Sequence, residues 1–149
     1  MVNLELIKKL REDTGAGVME TKKALEESKG DYETAKRSLL ALGLLKAAKK
    51  SDREVKEGLV VSYIHTTGKV GALVSLSCET DFVARTLEFQ TLAKEISMQA
   101  AAMKPQNIEE LLEQDYVREP AKKVKDLLIE LTAKVGENIV IKDFKVLEV

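Results

Sequence analysis

Cys78 and His65 are the side chains of this sequence with nucleophile chemistry, and both fall in a stretch of strand-like composition. A thiol beside an imidazole makes an activated nucleophile, and this pair would need the intervening turn to bring the two together. Cys78, however, shares the alternating parity of Ala72, Val74 and Leu76, where a thiol is buried and inert. His65 precedes the Thr67-Gly68-Lys69 turn and reads as a hairpin-end residue. One cysteine and one histidine without a close acidic partner do not make a metal site. Gly15 and Gly17 follow a helical segment rather than a strand, and no Gly-x-x-x-x-Gly-Lys-Ser/Thr run occurs, so no phosphate cradle is indicated. No cofactor is expected, and these absences leave a protein that acts by binding.

Two loops invite that reading. Thr80-Asp81-Phe82-Val83 lies where a strand gives way to a helix. On pattern alone it is an ordinary corner, with Thr80 or Asp81 capping a helical turn and Phe82 filling the core. The other reading has Asp81 and Phe82 protruding as an acidic and apolar pair. A phenyl ring buried in a partner's pocket is worth about 1.5–3 kcal/mol, enough to wedge packed elements apart. The second loop, Thr14 to Gly17, has Arg11 before it and Val18-Met19 after it. It reads either as a plain helix corner with Met19 in the core or as a surface of small residues, an apolar edge and a cation. Lys22 and Lys23 read as a solvated helix face.

The elements that would position these loops are legible in the hydrophobic period. The first fifty residues predict three helices: Asn3 to about Asp13, Val18 to Ser28, and one capped by Asp31 with Tyr32, Ala35, Leu39 and Leu42 as its stripe. Gly15 and Gly17 are expected in left-handed, helix-ending conformations. Gly43 could end the third helix, but Leu44 to Lys50 favours continuation, and Ser51-Asp52-Arg53-Glu54 reads as a linker. At Gly58 the period falls to two. Leu59 to Thr66 and Val70 to Glu79 predict a hairpin with one wet face. A helix from about Thr86 carries Phe89, Leu92, Ile96, Ala100 and Met103 up to Pro105, and another from about Pro120 carries Val124, Leu128, Leu131 and Val135 up to Gly136. Asn138 to Val149 returns to strand composition. The expected fold class is α+β: an N-terminal three-helix bundle over residues 1–54, then a small antiparallel sheet packed with helices over residues 55–149.

Composition narrows the partners. Lys+Arg 24 nearly cancels Asp+Glu 25, so no field of one sign draws the chain to nucleic acid or to an anionic membrane. A lone cysteine and the lack of a long apolar run point to a reducing, cytoplasmic setting.

Both loops, with the segments around them, resemble one family. Leu10 to Leu25, reading Leu-Arg-Glu-Asp-Thr-Gly-Ala-Gly-Val-Met-Glu-Thr-Lys-Lys-Ala-Leu, resembles the amino-terminal signature of elongation factor Ts. Cys78-Glu79-Thr80-Asp81-Phe82-Val83-Ala84-Arg85 resembles its second signature, and Val135-Gly136-Glu137-Asn138-Ile139-Val140 resembles its closing segment. The resemblance implies a guanine nucleotide exchange factor for elongation factor Tu, built from a domain like the ubiquitin-associated domains and an α+β core. It further implies that Asp81 and Phe82, held by Thr80 and Val83, enter the partner's nucleotide domain and dislodge the magnesium that holds GDP. Arg11, Val18, Met19 and Lys22 match the family's grip on the same domain, with Val18 standing where a methionine is usual. Met98 and Gln99 lie in a further matching segment as secondary contact candidates. Gln106 to Glu119 replaces a longer insertion, and only one core fits, so a homodimer is expected to restore the missing surface. Two other classes compete with this one. A helical binding module fused to an unrelated core would bind without Asp81 and Phe82, and a cysteine-dependent enzyme would fail on Cys78→Ser.

Overall fold

A computed structural model of the chain describes residues 2–149. The helices of the first fifty residues begin and end on side-chain punctuation. Helix α1 (Leu4–Thr14) opens at Asn3, whose side chain accepts the Glu5 N–H at 2.8 Å, and closes on Gly15 at φ 70°. Helix α2 (Val18–Glu27) opens at Gly17, which is extended at φ −67° rather than left-handed. A helix that starts at Val18 needs an extended residue before it, so Gly17 opens a helix instead of ending one. Helix α3 (Tyr32–Lys50) opens at Asp31, which accepts the Thr34 N–H at 2.7 Å.

Ile7, Leu10, Ala24, Leu25, Ala35 and Leu39 form one buried cluster between these three helices. Leu42, expected on the same stripe, is exposed, because the second half of α3 turns instead toward a later helix, α7 (Val124–Val135). Gly43 does not end α3. It sits where α3 meets α7, and a Cβ there would lie 3.4 Å from that of Ala133.

Strands β1 (Glu57–Ile64), β2 (Val70–Cys78) and β3 (Val140–Glu148) form an antiparallel sheet with β2 in the centre. Val74, Leu76 and Cys78 face inward with Ile141, against Phe89 and Ile96 of α5 (Leu87–Met103) and Leu128 of α7. Full burial of a ring such as Phe89 is worth roughly 3 kcal/mol. Ile141 and Phe144 are three residues apart, yet both pair with inward-facing residues of β2, Leu76 and Val74. A bulge between those pairs inserts one residue into β3 and restores the parity. Gly58 pairs with Ser77 at φ 150°, and a Cβ on it would meet the Leu76 carbonyl oxygen at 2.1 Å. Glycine is required where β1 comes down onto β2. Met103, expected on the apolar stripe, is exposed in the last turn of α5, beyond the buried Ala100 and Ala101.

Two short helices, α4 (Asp81–Ala84) and α6 (Ile108–Glu113), complete the chain. Helix α7 starts at Val124 rather than near Pro120, because residues 115–123 close on themselves first. Tyr116 N donates to the Lys122 carbonyl at 2.8 Å, Asp115 pairs with Lys123, and the Lys123 N–H is accepted by Asp126 at 2.8 Å. The α+β class is the observed one. Among the described residues no helix is long and apolar enough to cross a membrane.

Candidate functional site

The corner after β2 is built by Thr80. Its hydroxyl accepts the Val83 N–H at 3.4 Å and so caps α4, a single turn of four residues. Thr86 repeats the device, accepting the Phe89 N–H at 3.3 Å to open α5. Between the two caps Val83 and Ala84 are buried, while Phe82 is 78% exposed. The ordinary reading of the sequence is therefore half correct: Thr80 caps the turn, but Phe82 does not fill the core. A turn this short has one inward face, and Val83 and Ala84 occupy it. Asp81 lies beside Phe82 and pairs with Arg85 at 3.0 Å, so the corner presents a ring next to a carboxylate.

The backbone leading into this corner has left the ladder, since β1 begins opposite Cys78. Buried or half-buried N–H groups there need other acceptors. Glu137, just past the end of α7, supplies them. Its carboxylate accepts the N–H of Glu79 at 3.2 Å, the N–H of Thr80 at 3.0 Å and the Thr80 hydroxyl at 2.7 Å. Glu79 returns the contact by accepting the Asn138 N–H at 3.2 Å. The Asn138 amide donates in turn to the carbonyls of Ser51 and Arg53, at 3.3 and 2.8 Å. The Ser51–Glu54 segment is thus tied to the corner as well as linking two parts of the chain. Glu137 and Asn138 stand in the sequence within the closing segment, without a site role of their own. Their signal is two polar residues wedged between the helix-ending Gly136 and the apolar run of β3.

At the other loop, Val18 and Met19 open α2 on the surface, with Met19 74% exposed. The packed alternative for Met19 is excluded. Beneath them Glu20 accepts the Gly17 N–H at 3.2 Å and pairs with Lys46 of α3, which fixes the turn. The Lys46 ammonium, helped by Gly17, holds the Glu20 carboxyl below its ordinary value. Arg11 is exposed, and Lys22 pairs along its helix with Glu26 at 3.9 Å. A Cβ on Gly15 would lie 3.3 Å from that of Lys134, so the turn packs closely on α7, and the Lys134 ammonium reaches Glu88 of α5 at 3.7 Å.

One sequence expectation gives way. Gln99 is fully buried: its amide donates to Gln114 and to the Asp115 carbonyl, and its oxygen accepts the Val117 N–H at 3.0 Å. It braces the α5 side of the core and offers no surface for contact. Met98 beside it is half-buried under Arg118. His65 and Cys78 do not meet, in keeping with the buried, inert thiol expected from strand parity. The hairpin register sets Cys78 opposite Glu57, eight residues along β1 from His65, a span of roughly 25 Å. Cys78 is buried, and burial with the nearby Glu137 charge pushes its thiol up to about 11. That is the opposite of an activated nucleophile. Among the described residues no group of three ligands could hold a metal.

A family model described as Elongation factor TS matches residues 79–149. Similar curated proteins carry the same description. Elongation factor Ts of Thermoanaerobacter sp. (strain X514) is 43% identical over 189 residues, covering 97% of this chain and 93% of the relative. Elongation factor Ts of Thermotoga neapolitana is 41% identical over 191 residues, covering 99% and 97%. That of Thermodesulfovibrio yellowstonii is 41% identical over 187 residues, covering 96% and 94%. These aligned lengths exceed the 149 residues of this chain, so each relative carries segments that it lacks.

Proposed function

The chain belongs to the elongation factor Ts family of translation elongation factors, and from that premise we propose that it is a guanine nucleotide exchange factor that acts on elongation factor Tu in the cytoplasm. It works by binding and is not an enzyme. The observation that carries the reading is the exposed Phe82 on a capped, buried corner. What supports a docking role is the combination of this exposed ring with the adjacent Asp81 carboxylate on a fixed turn, within the segment that resembles the family's second signature, since a ring of this kind can anchor in a partner's pocket.

Residues 1–54 and 55–149 divide the work in this reading. The first unit, like a ubiquitin-associated domain, grips the partner's nucleotide domain through Arg11, Val18, Met19 and Lys22. The second unit inserts Asp81 and Phe82, with Thr80 and Val83 holding the corner that presents them. The ring displaces packed elements of the partner, and the Asp81 carboxylate competes for polar groups around the partner's magnesium. Loss of that ion removes the positive charge beside the phosphates, and GDP leaves faster. Linkage is reciprocal, so incoming nucleotide weakens the factor's hold by the same ratio and releases it for another cycle.

The solvent face of the sheet supports a homodimer. Val60, Ile64, Leu73 and Leu147 are all exposed on it, an apolar surface of the kind that a second copy covers. Sedimentation of the wild type against Leu73→Lys checks this: the variant is expected to sediment as a monomer, and a wild-type monomer would refute it.

The decisive assay is release of fluorescent GDP from elongation factor Tu. Wild-type protein is expected to accelerate release, and Asp81→Ala with Phe82→Ala to remove most of the acceleration while the fold stays intact. Unchanged release with the wild type would sink the proposal.

A further inference from the structure

We propose that Glu137 is a positioning residue for nucleotide exchange, holding the Thr80 corner so that Phe82 is presented in one fixed pose. The inference rests on the exchange reading above and adds to it a residue on a different element, between α7 and β3.

Three geometric facts carry it. Among the described residues the Glu137 carboxylate is the one acceptor of the Glu79 N–H, the Thr80 N–H and the Thr80 hydroxyl. These groups lie just where β2 has lost its β1 partner, so the direction in which the chain enters α4 is set by Glu137 rather than by the sheet. A hydroxyl has one proton. The Thr80 hydroxyl donates its hydrogen to Glu137, which leaves a lone pair aimed at the Val83 N–H and fixes the turn carrying Asp81 and Phe82. Finally, Asn138, the next residue, fastens the same corner to Ser51 and Arg53 at the end of α3, and Arg53 reaches Glu79 at 3.7 Å. Corner and three-helix unit are therefore referenced to one point. A ring that must enter a pocket gains from such pre-organisation, because little conformational freedom is left to lose on docking.

The prediction separates rate from affinity. Docking also uses the surface around Met19, so loosening the corner should spare binding and impair what the bound ring does. With Glu137→Ala, the maximal rate of GDP release at saturating factor is expected to fall by roughly tenfold, as loss of charge-assisted hydrogen bonds implies. The concentration giving half of that rate should move by less than about threefold. Glu137→Gln keeps an oxygen for the two N–H groups but turns an uncharged NH2 toward the Thr80 hydroxyl, so it should recover part of the rate and fall between Glu137→Ala and wild type. Hydrogen exchange in the free protein should quicken at the Glu79 and Thr80 amides and through α4 in Glu137→Ala, with β2 and α5 unchanged.

A wild-type maximal rate in Glu137→Ala would overturn the proposal. So would equal impairment of the Ala and Gln variants, or a loss confined to the half-saturating concentration. Should Glu137→Ala melt below the assay temperature, Thr80→Val addresses the same bond from the other side, and a full maximal rate there overturns it. If wild-type protein fails to accelerate release, the exchange reading falls, while the hydrogen-exchange comparison still decides whether Glu137 holds the corner.

Discussion

Phe82 and Val83 are consecutive in the chain and opposite in exposure, 78% against 9%, because α4 is one turn long and Val83 takes its inward side. Phe82→Ala should therefore change stability by no more than about 0.5 kcal/mol, as for other surface substitutions. Val83→Ala should cost about 2 kcal/mol by emptying a packed site. Urea unfolding measures both. In the exchange assay the order reverses, with Phe82→Ala the more damaging variant, and equal activity of Phe82→Ala and wild type would remove the ring from the mechanism.

Gly58→Ala should be far more destructive than its size suggests. The added methyl would stand 2.1 Å from the Leu76 carbonyl oxygen and 2.8 Å from the Ser77 Cα, at a φ of 150°. All of the atoms it would meet are backbone of β2, so no flexible side chain is there to yield. A loss of about 3 kcal/mol or more is expected in urea unfolding. A variant as stable as wild type would show that β1 can shift off β2.

Cys78 should resist modification. Its thiol lies in the core, donates to the Thr80 carbonyl at 3.1 Å and is raised to about 11 by burial first and the Glu137 charge second. At pH 8 a thiol reagent should label the folded protein slowly and the unfolded protein quickly. Cys78→Ser should retain exchange activity, and a loss of activity without a loss of fold would revive a cysteine-dependent chemistry.

Stability should decline in acid through the three-helix unit. The Tyr32 hydroxyl, then Lys36, hold the Asp13 carboxyl below its ordinary value of 3.8, and Lys46 holds Glu20 below 4.5. Both groups have folded values lower than their unfolded ones. Their stabilisation is thus complete above about pH 5 and is lost as pH falls through the lowered values. These carboxylates are about one-third exposed, so the sum should stay near 1 kcal/mol or less. Thermal melts between pH 6 and pH 3 should show the decline, and Asp13→Asn with Glu20→Gln should flatten it. An unchanged slope in the double variant would place the acid sensitivity elsewhere.

Much of this protein is written along the chain. The caps at Asn3, Asp31, Thr80 and Thr86, the stripe of Phe89, Leu92 and Ile96, and the inward parity of Val74, Leu76 and Cys78 are local patterns, and the fold realises each of them. The motifs around Thr80 and Thr14 likewise need no coordinates to be found. What they do not contain is anything that depends on two distant segments meeting. Gly17 is a separate, local case: its position after α1 reads as a helix end, but α2 begins at the next residue and Gly17 opens it. Gln99 has the composition of a surface residue but lies inside, because Gln114, Asp115 and Val117 come round to satisfy it. Glu137 is marked locally only as a polar residue after Gly136, and nothing local says what it holds, for the groups it binds are 57 and 58 residues away. Periodicity records which face of an element is buried. It cannot record which buried polar group finds its partner across the fold, and at the Phe82 corner that long-range pairing sets the pose of the ring.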